Sequence, residues 1–144
     1  MNLTTNFSLE ELTHSEVAER KGIDNRPNEA IIENLRKLAN GLELVRALLG
    51  GPILVSSGFR CPALNQLIGG AARSQHMEGL AADFICPAAG VPAEICRKIA
   101  ASAIPFDQLI YEYTWCHISF ADSPRYSILT FNRVSKGYDR GIIG

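Results

Sequence analysis

The sequence predicts an α+β fold in which N-terminal helices pack on a small, mainly antiparallel sheet. Three observations carry that reading. Ile31, Leu35, Leu38, Leu42, Val45 and Leu49 recur at spacings of three and four, an amphipathic helical stripe. Gly50-Gly51-Pro52 stops that helix, and beyond it the apolar segments shorten to strand length. No repeat, low-complexity tract or linker interrupts the chain, so residues 1–144 read as one domain, with a helical part over 1–50 and a sheet-and-site region over 51–131.

Each element has a local signature. Ser8-Leu9-Glu10-Glu11 is a capping box and opens a first helix running to about Arg20, ended by Gly22. Asp24-Asn25-Arg26-Pro27 makes a turn, after which Asn28 caps the long helix. Ile53-Leu54-Val55 reads as a strand and Ser56 to Arg60 as a loop; Pro62 opens a brief helix through Ile68. Leu80 to Ile85 is a central strand carrying one acid, Asp83. Pro92 starts a helix to about Ser102 with Ile95 and Ile99 inward. Gln108 to Tyr113 and Trp115 to Phe120 are two strands parted at Thr114, and Ser127 to Phe131 is a last, edge strand. The tail from Asn132 carries weak signals, and the N-terminal helices read as a lid or a packing layer.

Composition narrows the function. The 144 residues, 47% hydrophobic and 20% charged, are enough for a core without staples, and a net charge of −1 gives no bulk pull toward nucleic acid or anionic lipid. No apolar run reaches the length of a membrane span, and the N-terminus lacks a basic region followed by an apolar stretch. Synthesis in the cytoplasm without a signal peptide is therefore expected, so that any extracytoplasmic target is reached by lysis, injection or a route the sequence does not encode; a monomer is favoured. Cys61, Cys86, Cys96 and Cys116 form no Cys-x-x-Cys pair, so a structural zinc knuckle is a poor reading and free thiols are expected. Strand alternation turns Cys116 away from whatever its neighbour His117 binds.

One constellation carries chemistry. An acid inside an apolar strand is costly unless it is paired or bound to a metal, and Asp83 follows His76 across a tight glycine turn at Gly79. His117, on a neighbouring strand, can complete a set of three ligands. Such a set leaves one position open, the pattern of a catalytic zinc, which lowers the pKa of its water toward ~7. Glu112, at the end of the preceding strand, is the candidate proton acceptor, and Arg60 the candidate partner for a developing oxyanion. The spacing also allows plainer readings: His76 and Asp83 as a hydrogen-bonded pair, Glu112 as a solvated carboxylate, Arg60 as a surface ion-pair partner, Trp115 as core. His14 lies in the first helix with no partner in view, and Glu78 reads as a solvent-facing loop residue.

At these residues the chain resembles the M15 zinc peptidases, the D-alanyl-D-alanine carboxypeptidase and phage endolysin group. The matching text is Ser57-Gly58-Phe59-Arg60, Asn65, Gly69-Gly70-Ala71, Ser74-Gln75-His76 through Gly79, Ala81 and Asp83, and Trp115-Cys116-His117-Ile118-Ser119. The Ser-x-His-x-x-Gly-x-Ala-x-Asp element is the most specific part. The resemblance implies a Hedgehog/D-Ala-D-Ala-peptidase-like fold and a Zn2+ ion held by His76, Asp83 and His117. It also implies that Arg60 contacts the substrate carbonyl or transition state and that Ser74 lies near the substrate; Trp115, by its place beside a ligand, is a further candidate substrate contact. The implied reaction is hydrolysis of a peptide bond in peptidoglycan stem or cross-link peptides. Alternatives are a zinc-containing domain of a virion or tail that binds the cell wall without cutting it, and a hydrolase of cytoplasmic dipeptides. Two departures stand out: many relatives have Glu-x-x-His where position 114 is Thr, and others have histidine where this chain has Trp115. A bulge near Thr114 would bring Glu112 to the site.

Overall fold

The structure, a computed structural model, describes residues 1–143. Five α-helices and a six-stranded sheet form a mixed α+β architecture. The helices are α1 (Leu9–Thr13), α2 (Glu16–Lys21), α3 (Glu29–Leu49), α4 (Pro62–Leu67) and α5 (Pro92–Ala100). The strands are β1 (Leu54–Ser57), β2 (Ala81–Ile85), β3 (Gln108–Tyr111), β4 (Cys116–Ser119), β5 (Ser127–Phe131) and β6 (Tyr138–Arg140). They lie in the order β1-β2-β4-β3-β5-β6, and every neighbouring pair is antiparallel except β3–β5.

The stripe on α3 explains where the core sits. Leu35, Leu38, Leu42 and Val45 have no exposed surface, each side chain worth about 1.5–3 kcal/mol of burial. They meet Ile95 and Ile99 of α5 and the inward face of the sheet, Ala82, Phe84, Leu109, Tyr111, Cys116 and Ile118, in one cluster. Leu12 of α1 joins it, so the N-terminal helices are a packing layer. Because strand side chains alternate, Asp83, Ile110 and His117 are turned to the opposite face, away from the helices.

Three boundaries differ from the sequence expectation. The first helix does not run to Arg20: it breaks at His14 (ψ 136°), and the Ser15 hydroxyl accepts from the Ala18 amide to start α2. His14 is exposed but not partnerless, lying 3.5 Å from Glu19. β1 extends through Ser57, with a register irregularity between Val55 and Ser57. The sheet does not end at 131, since Tyr138–Arg140 pairs with β5; β5 is therefore interior rather than an edge. No helix is long and apolar enough to cross a membrane among the described residues.

Candidate metal centre and cleft

Three side chains converge on the open face of the sheet. Asp83 of β2 and His117 of β4 are directly paired in register. His117 Nδ1 lies 2.9 Å from Asp83 Oδ1, and His76 Nε2 lies 3.3 Å from the same oxygen. All three candidate ligand atoms fall within 4.8 Å of one another. A tetrahedral zinc with bonds of about 2.0–2.1 Å places its ligand atoms roughly 3.3–3.4 Å apart, so two imidazoles and a carboxylate fit that ion with small adjustments.

His76 reaches this point through its backbone. It lies in a 3-10 turn, Gln75–Glu78, capped by Ser74, whose hydroxyl accepts from the His76 amide at 3.1 Å. Gly79 closes the turn at φ +75°, a conformation that side chains other than glycine's rarely adopt. The His76 ring is 2% exposed, and its Nδ1 lies 2.7 Å from the Gly58 carbonyl. A carbonyl can only accept, so Nδ1 carries the proton and the Nε2 lone pair faces Asp83. Gly58 is itself required: a methyl there would overlap the Leu12 carbonyl oxygen and sit 2.9 Å from Leu12 C. Phe59, next in the chain, donates its amide to that oxygen at 2.7 Å.

The electrostatics suit a ligand set. Burial pushes the Asp83 carboxyl up, but the His117 and His76 imidazoles beside it outweigh that and hold the group well below the carboxylate range. Burial lowers the His76 imidazole, against the opposing pull of Asp83.

A cleft of about 490 Å³ opens over this cluster and is lined also by Arg60, Ser74, Glu112 and Trp115. The sequence-predicted residues are thus brought together. Glu112 arrives by a turn rather than a bulge: β3 ends at Tyr111, Tyr113 takes φ 63°, and the Glu112 amide donates to the Trp115 carbonyl at 3.2 Å. Trp115 Nε1 donates to Glu112 Oε2 at 3.0 Å. Burial first, then the Asp83 charge, raises the Glu112 carboxyl; Arg60 and His117 oppose this. Arg60 is half-buried, its Nε has no acceptor, and its amide donates to the His76 carbonyl at 3.0 Å. Burial lowers its guanidinium, with Asp83 and Glu112 opposing.

Behind the strand, Cys116 points into the core as alternation requires, its sulfur 3.2 Å from that of Cys96; all four cysteines are free thiols. Sequence reasoning missed Tyr138 and Arg125, both on the cleft wall, and Asp107, the buried carboxylate behind Arg125. Asp107 had a legible signal, an acid placed between Phe106 and an apolar strand; Tyr138 had none, coming from a tail of weak pattern.

A search of curated proteins found no significant match. A family model described as Peptidase M15 matches residues 5–119, a span that holds all three candidate ligands together with Arg60 and Glu112. By that match over most of its length, the chain belongs to the M15 peptidase family.

Proposed function

We propose that the chain is a zinc-dependent peptidase that hydrolyses a peptide bond in peptidoglycan stem or cross-link peptides. The observation that carries this reading is a shared carboxylate oxygen, Asp83 Oδ1, flanked by two imidazoles at 2.9 and 3.3 Å inside a cleft that also presents Glu112 and Arg60. His76, Asp83 and His117 would hold the ion. Zinc bound there supplies a lowered pKa for the attacking water and polarisation of the scissile carbonyl.

The chain's own groups do the rest. Glu112, whose carboxyl burial and Asp83 make more basic, is placed to accept the water's proton and return it to the leaving amine. Trp115 positions it by binding one carboxylate oxygen and leaving the other free. Arg60 offers a half-buried cation on the cleft wall, suited to negative charge growing on the carbonyl oxygen. Ser74 has its hydroxyl lying 3.5 Å from Arg60 Nη2 and lines the approach taken by substrate.

The phage or prophage setting and the Hedgehog/D-Ala-D-Ala-peptidase type of fold rest on the sequence resemblance. The binding-only alternative is disfavoured by Glu112, which faces the cleft with Asp83 rather than solvent alone. The test is release of amino groups from purified peptidoglycan by the zinc-loaded protein, with and without chelator. Glu112→Gln is expected to keep zinc and lower kcat about 10²–10⁴-fold. Chelator-insensitive turnover, or wild-type kcat in the variant, would reject the mechanism.

A further inference from the structure

The cleft contains a second cation that the chemistry above leaves unused. Arg125 lies on its wall with its side chain 62% exposed, yet it is not a free surface arginine. Its backbone amide and Nε donate to Asp107 Oδ1 at 3.0 and 2.9 Å, and its Nη2 donates to Asp107 Oδ2 at 2.7 Å. Asp107 is almost fully buried and also accepts from Gln75 Nε2 at 2.9 Å. With four donors its acceptor capacity is largely used, and the guanidinium is clamped at its Nε edge. Both Nη1 hydrogens and one Nη2 hydrogen remain, a planar fork of the kind that takes a carboxylate by two parallel bonds.

The position of this fork relative to the metal centre follows from strand geometry. Asp107 precedes Ile110 by three residues, and Ile110 pairs with the ligand His117. At about 3.3–3.4 Å per residue the Asp107 backbone lies roughly 10 Å along the strand from the level of His117, and the Arg125 fork is bonded to the Asp107 carboxylate there. An extended peptide covers that in about three residues, at 3.3–3.6 Å each, and a long acidic side chain covers it in fewer. Arg73 on the same rim adds a further cation, so the wall presents three arginines against the carboxylates of Asp83 and Glu112.

We propose that Arg125, clamped by Asp107, is a specificity-determining residue that binds a free carboxylate of the peptide substrate within about three residues of the scissile bond. The proposal deepens the peptidase reading and rests on it for the identity of the cleft, but its binding test does not depend on turnover.

The probes are a synthetic stem pentapeptide, L-Ala-γ-D-Glu-diaminopimelate-D-Ala-D-Ala, and a set in which each carboxylate in turn is amidated. Binding is measured by calorimetry on zinc-loaded Glu112→Gln protein, and kcat and KM on the otherwise unaltered chain. One amidation is expected to weaken binding and raise KM about tenfold or more, with kcat within about twofold. Arg125→Met should reproduce that loss on the free acid and add nothing on the amide. Arg125→Lys, which keeps the charge without the fork, should recover part of it. Melting temperature and zinc content separate these effects from loss of the Asp107 clamp, since a merely structural role lowers both and weakens every probe equally. Acid and amide forms bound alike by the unaltered site, or equal losses on both in Arg125→Met, overturn the proposal. Selective binding without cleavage of any probe would leave this assignment standing and overturn the peptidase reading instead.

Discussion

The Gly58 contact allows a test that couples fold to metal site through one atom. In Gly58→Ala the new methyl would overlap the Leu12 carbonyl oxygen and sit 2.9 Å from Leu12 C, below the 3.0 Å under which Cβ contacts essentially never occur. The partner is backbone, so α1 or the 57–60 segment must withdraw. Overpacking of this kind costs about 1–3 kcal/mol, and the 2.7 Å bond from the Phe59 amide to the same oxygen stretches with it. For a domain this size each kcal/mol lowers the melting temperature by roughly 2–4 °C. The same withdrawal moves the Gly58 carbonyl off His76 Nδ1, and loss of such an orienting partner costs about 10–100-fold in metal affinity. Melting with excess chelator reads the first effect, and zinc competition against a chromophoric chelator reads the second. A variant that melts lower but binds zinc as tightly as the unaltered chain would refute the role assigned to the Gly58 carbonyl.

Three further outcomes follow from the same geometry. Asp83→Ala removes the oxygen that both imidazoles share and should abolish bound zinc, read by metal analysis after dialysis. Arg60→Ala should retain zinc and lose about 10²–10³-fold in kcat; wild-type rates would remove it from the mechanism. Asp107→Asn tests the buried clamp through pH. The Arg125 hydrogen bond, chiefly, lowers the Asp107 carboxyl, so its stabilisation is complete above the unfolded value near ~3.9 and is lost as pH falls through the lower folded value. The melting-temperature gap between the unaltered chain and this variant should therefore be constant from neutral pH to about pH 5 and close on further acidification.

Much of this was readable from residue order because the relevant signals are local. The α3 stripe, the Asn28 cap and the Gly50 stop define a helix whose buried face is the one its spacing predicts. Gly79 and Ser74 mark the turn that delivers His76, and alternation alone places His117 and Cys116 on opposite faces of β4. What escaped depended on local competition or on partners far away in the chain. Ser15 ends the first helix by a side-chain bond that competes with helix continuation, a contest that pattern cannot adjudicate. The parallel pairing of β3 with β5, and the capture of β6 beyond it, arise from tertiary contact and left only a short, polar signature in Tyr138–Arg140. The Asp107–Arg125 clamp spans 18 residues, and the Gly58–His76 bond likewise 18.

The strand order has a consequence for how this catalyst can change. Every candidate ligand and Arg60 come from β2, β4 or the loops bound to them, in the middle of the chain's packing. Arg125 and Tyr138 reach the cleft from the far side, at the start of β5 and on β6, two strands joined to the rest of the sheet along β3 alone. Grafting a different 121–143 segment onto that one seam would exchange the recognition wall while leaving the cation cradle in place. Selectivity and hydrolytic power can thus drift independently, the one at the sheet's margin and the other at its centre.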